Sequence, residues 1–84
     1  MTKALVKFDD YHSIPSFVWK VSEYPFDIDL VSGRYYIDAK SVMGIFGLDL
    51  SKEIKMVMHE DGPICEELLN ELKKIDKVNI KEYK

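Results

Sequence analysis

The sequence predicts an α+β fold of the open-faced β-sandwich class, with a four-stranded, mostly antiparallel sheet carrying three helices on one face. Three observations carry that expectation. The hydrophobic period switches repeatedly between two and 3.6, which gives the element order β-α-β-β-α-β-α. Each strand-like segment has one apolar side and one polar side, so the helices should all lie on one side of the sheet. With 84 residues, the chain has room for a single small core, burying about two thirds of its unfolded surface.

Taken in order, "KALVKF" alternates Ala4, Val6 and Phe8 with Leu5 and Lys7, a first strand ending at Asp9-Asp10. Ile14, Phe17, Val18 and Val21 fall at i, i+3, i+4 and i+7, the stripe of a helix from about Ser13 to Tyr24, with Pro15 tolerated in its first turn and Pro25 ending it. Phe26, Ile28 and Leu30 alternate with Asp27 and Asp29 as a second strand, and "YYID" makes a third, paired to it around Ser32-Gly33. Ser41 to Leu48 reads as one to two helical turns headed by Ser41 as N-cap. In "EIKMVMH", Ile54, Met56 and Met58 point inward and Lys55, Val57 and His59 outward, a fourth strand. After "DGP", a last helix presents Ile64, Cys65, Leu68, Leu72 and Ile75 on one stripe. Residues 76–84 form a polar, alternating tail, either frayed or an edge strand. The expected core includes Phe17, Val21, Ile28, Ile37, Met56, Leu68 and Leu72 in one domain spanning residues 1–84.

Composition narrows the function. The chain is 46% hydrophobic and 32% charged, the balance of a globular protein rather than a disordered one. A net charge of −3 with both signs interspersed argues against a nucleic-acid partner. The single cysteine, Cys65, excludes an internal disulfide and suits a reducing, cytoplasmic setting. No stretch approaches the roughly 20 apolar residues of a membrane span, and no signal peptide is evident. No cofactor or metal is expected. His59-Glu60-Asp61 are three neighbours at a strand end, where side chains seldom converge on one ion, and no general acid and base can be assigned among the carboxylates.

The most informative stretch is "DAKSVMGIFGLDLSKEIKMVMHEDG". With the element order, it resembles the HPr family, the histidine-containing phosphocarriers of the bacterial phosphoenolpyruvate-dependent sugar phosphotransferase system. The family's lysine-serine, apolar residue, methionine, glycine and later leucine are met by Lys40, Ser41, Val42, Met43, Gly44 and Leu48. Its second motif, a phospho-accepting histidine followed by alanine, arginine and proline, is met in part by "HSIP": His12 and Pro15 fit, Ser13 and Ile14 depart. An ungapped match of the first helix instead puts Asp10 at the acceptor position and His12 at that of the arginine. The resemblance implies no enzyme in its own right but a monomeric phosphocarrier or regulatory binding protein; the remaining reading is an interaction module that shares only the fold. Its partners would be proteins of the phosphotransferase system or a serine kinase.

Each candidate residue has two readings. His12 is a phospho-acceptor or a surface residue at a helix entry. Ser41 is a helix cap, a regulatory phosphorylation site, or both. Val42, Ile45 and Leu48 suit burial, whereas Met43 and Phe46 share another edge of the short helix. A flexible thioether beside an aromatic suits a protein-docking surface, and Lys40 joins them as a candidate partner contact.

Overall fold

The structure, a computed structural model, describes residues 1–83. Five strands, β1 (Thr2–Phe8), β2 (Ile28–Ser32), β3 (Tyr35–Asp38), β4 (Ile54–Met58) and β5 (Val78–Glu82), form one sheet in the order β3-β2-β4-β1-β5, and every pairing is antiparallel. Three helices, α1 (Ile14–Ser22), α2 (Val42–Phe46) and α3 (Pro63–Lys73), join them, and a 3-10 turn at Tyr11–Ser13 leads into α1. The architecture is α+β and compatible with an open-faced sandwich.

The strand count corrects the four-strand expectation. Residues 78–82 of the polar tail pair with β1, placing Val78 opposite Phe8 and Ile80 opposite Val6. Lys77 takes a left-handed φ of 68° to turn the chain out of α3, and its carbonyl accepts from the Asp9 amide at 2.9 Å. The reason is the open edge of β1: the inward positions Val78 and Ile80 cover apolar surface, and the backbone groups of β1 gain partners they would otherwise seek in water. Lys84, the last residue of the tail, lies outside the described residues.

Burial follows the period of two. Ala4, Val6 and Phe8 on β1, Ile28 and Leu30 on β2, and Ile54, Met56 and Met58 on β4 join Ile14, Phe17 and Val21 of α1, Ile45 of α2, and Cys65, Leu68 and Leu72 of α3 in one core. Phe8 and Phe17 meet edge to face, 5.0 Å between ring centroids. One expected core position and one position of the expected α3 stripe differ. Ile37 is only half-buried because β3 is an edge strand, and Ile64, in the first turn of α3, is exposed because the helix rolls Cys65, Leu68 and Leu72 inward. Val57 departs the other way: it faces outward as expected but is buried, flanked on its central strand by Lys3 and Asp29.

Two polar ties fix the chain where α1 hands over to β2. The Tyr24 phenol, buried at the end of α1, donates to Glu67 of α3 at 2.9 Å. Burial pushes its pKa up to about 12, and the Glu67 carboxylate adds to the rise. The Lys40 ammonium donates to the carbonyls of Tyr24 at 2.7 Å and Phe26 at 2.9 Å, on either side of Pro25.

Phe17→Ala should destabilise the protein by about 3–5 kcal/mol, whereas Ile64→Ala should cost under about 1 kcal/mol; urea denaturation of the two variants checks this. Because the folded pKa of Tyr24 lies above the unfolded value of 10, its neutral phenol contributes stability in full below pH 10 and loses it as pH rises toward 12. Stability measured across that window should fall more steeply for the native chain than for Tyr24→Phe.

Candidate functional site

The site is built at the helical side of the molecule, where the 3-10 turn and α2 meet. Asp10 has extended backbone (φ −149°, ψ 130°) and caps the turn. Its Oδ1 accepts from the His12 amide at 2.9 Å and lies 2.9 Å from the His12 ring Nδ1, while its carbonyl accepts from both the amide and the hydroxyl of Ser13. The His12 amide, with the ring beside it, holds the Asp10 carboxyl below the usual carboxylate range. His12 stands in solvent, its side chain 96% exposed, with Nδ1 against the Asp10 carboxylate.

Ile14, two residues on, is fully buried. A charged side chain at this position would displace apolar packing and lose its water.

α2 is held by its first residues. The Asp38 side chain accepts from the Lys40 amide at 2.9 Å, and its carbonyl accepts from the Ser41 amide at 3.0 Å. Ser41 (φ −111°, ψ 110°) then caps the helix, its Oγ accepting from the Gly44 amide at 3.1 Å. Gly44 permits this tight seat: a Cβ there would lie 3.3 Å from Ser41 Oγ and 3.5 Å from two carbons of Ile37. The short helix turns Ile45 into the core and leaves Val42 and Leu48 half-buried, while Met43 is 84% and Phe46 45% exposed. Lys40 is half-buried, and two of its three ammonium donors go to the carbonyls already described.

The structure joins the two candidate regions through a residue that sequence reasoning passed over. Tyr11, exposed beside His12, brings its ring to 6.0 Å from that of Phe46, tilted by 37°. His12 and the α2 edge thus flank one aromatic pair. Trp19 on α1 was also missed; it is 75% exposed. The available signal was its position, since Trp19 falls off the stripe of Ile14, Phe17, Val18 and Val21, so a large apolar side chain there must face away from the core.

The same geometry bears on catalysis. Asp10 and His12 are a carboxylate–imidazole pair at the surface, the His12 side chain almost wholly in water. His59, at the end of β4, meets Asp29 of β2 at 2.7 Å on the side of the sheet away from the helices. Among the described residues no three His, Cys, Asp or Glu side chains come together as metal ligands, and no helix is long and apolar enough to cross a membrane. What the arrangement offers chemically is a contact surface: apolar side chains held outward by capped turns, with a serine hydroxyl and an imidazole at its edges.

Ser41→Ala should cost about 1 kcal/mol through the lost cap, whereas Ser41→Asp should keep stability, since a carboxylate accepts from the same amide. Thermal melts of the two variants against the native chain distinguish a capping serine from one without that role.

No family model, curated protein or solved structure matches this chain.

Proposed function

We propose that the chain is an HPr-like protein of the phosphotransferase system, or of its regulation, that works by docking partner proteins through the face formed by Tyr11, Met43 and Phe46. One observation carries the reading: Met43 and Phe46 stand outward on a helix whose other side is packed, and Tyr11 extends the apolar surface toward α1. Large exposed apolar side chains grouped this way are typical of interaction surfaces. The β-α-β-β-α-β-α order and the single-sided core accord with an open-faced sandwich of the HPr type, to which β5 adds an edge. A cytoplasmic place goes with that reading. Ser41, at the margin of the face, is the regulatory residue in it: a phosphoryl group there would add about two negative charges beside Met43 and change which partners bind.

A second reading, a phosphocarrier relaying through His12, draws on the exposure of that ring ahead of α1. Against it stand the Asp10 carboxylate, which occupies the cap and opposes an incoming dianion, and the buried Ile14, which supplies no charge.

Met43→Ala and Phe46→Ala should each lower stability by less than about 1 kcal/mol, as for exposed positions. Each should weaken binding to the first enzyme of the phosphotransferase system, or to its serine kinase, about tenfold or more in calorimetric titrations. Loss of several kcal/mol of stability instead would place both side chains in the core and remove the docking reading. Incubation with phosphoenolpyruvate and the first enzyme, followed by intact mass, should show no acid-labile phosphoryl adduct. A stoichiometric adduct on His12 would turn the proposal to the relay.

A further inference from the structure

The sheet has a second face, away from the helices, and its charges are sorted. Register partners set a row across all five strands that reads Tyr36, Val31, Lys55, Leu5, Lys81, without a carboxylate. The next row reads Asp38, Asp29, Val57, Lys3. Acids therefore gather on the β2–β3 side and lysines on the β1, β4 and β5 side.

Where the first row meets the β2–β3 turn and the loop after α2, the surface sinks into a groove of about 600 Å³. Leu5 and Val31 give it apolar lining, Arg34, Lys52 and Lys55 supply cations, and Tyr83 lines it from β5's end. Gly33, at φ 59°, makes the tight turn that sets Arg34 at the groove. The Tyr83 ring has Lys3 Nζ 5.7 Å and Lys55 Nζ 5.6 Å from its centroid.

Two carboxylates also line the groove, and both are engaged. Asp49 accepts from the amide and hydroxyl of Ser51 and lies 3.8 Å from the Lys52 ammonium, and Glu53 meets Lys81 at 2.8 Å. Among the described residues no ion pair includes Arg34, Lys55 or Lys3.

The geometry points to a binding site for a nucleoside monophosphate, with Arg34 and Lys55 on the phosphate and the base against Tyr83 over Leu5 and Val31. A guanidinium fork matches phosphate oxygens, and an ammonium adds a point charge. Bases stack on tyrosine whatever their identity. Apolar lining with a few polar groups, in a volume within about 300–1,000 Å³, is the usual make-up of a small-ligand site. The acidic half of the next row limits the ligand's length: a polynucleotide continuing across the sheet would run onto Asp29 and Asp38. The site is distinct from the docking face and does not rest on it.

The test is an amide-resolved NMR titration of the full chain with AMP, adenosine, inorganic phosphate and a single-stranded oligoadenylate. AMP should give saturable shifts centred on Leu5, Val31, Arg34, Lys55 and Tyr83, and adenosine and phosphate should each bind about tenfold more weakly or worse. Arg34→Gln, Lys55→Gln and Tyr83→Leu should each weaken AMP binding by a similar factor while keeping the native circular dichroism, and Lys74→Gln, just past α3, should leave it unchanged. Three results overturn the proposal: no saturable shift with AMP, shifts that phosphate alone reproduces and the variants do not alter, or tighter oligoadenylate binding with shifts running past Asp29 and Asp38.

Discussion

One constraint governs the rest of the molecule: the sheet packs its core on one face, the side the helices cover. Ala4, Val6, Leu30, Met56 and their neighbours on that face need a cover, and a single layer of helices supplies it. Each helix has one apolar stripe, directed at the sheet, so whatever lies off the stripe is presented to solvent. Trp19 and Met43 are exposed for that reason. The exposed apolar face of Tyr11, Met43 and Phe46 is thus a geometric consequence of one-sided packing as much as of the residues that compose it.

Short polar contacts then hold this layer in place. Ser41 caps α2, Asp10 caps the turn before α1, and Lys40 ties down the carbonyls on either side of Pro25. Each satisfies backbone groups that a short helix or tight turn leaves without partners. This changes how charge near the candidate site is read. Asp10 and Lys40 both look available as reactive or recognition groups in the sequence, yet both have structural work in the fold. Met43, Phe46 and Tyr11, by contrast, make no such polar tie and stand exposed.

The opposite face follows other rules because no helix covers it. Apart from the buried Val57, side chains there meet water, so the alternation places lysines and acids on it, and the strand order decides which of them become neighbours. Antiparallel pairing of β1 with both β4 and β5 brings Lys55, Leu5 and Lys81 into line. The protein therefore has two surfaces of different character, one apolar and aromatic on the helices, one charged and grooved on the sheet.

The sequence by itself determined the strands and helices from β1 to α3 and their order, the inward residues of the central strands, the α1 stripe of Ile14, Phe17 and Val21, and the capping role of Ser41. Periods of two and 3.6, proline positions and cap residues all act within about a dozen residues, so each segment carries its own signal. The exposure of Met43 and Phe46 was legible for the same reason, as an angle around a helix. Only the tertiary structure decided the strand order β3-β2-β4-β1-β5, the recruitment of the tail as β5, the meeting of Tyr11 with Phe46, and the turning of Lys40 toward the carbonyls of Tyr24 and Phe26. These depend on contacts between residues far apart in the chain, from the 14 positions that separate Phe26 from Lys40 to the pairing of β1 with β5 at opposite ends of the sequence. A local pattern states that a strand edge or an ammonium needs a partner, and only the closed chain settles which one it finds.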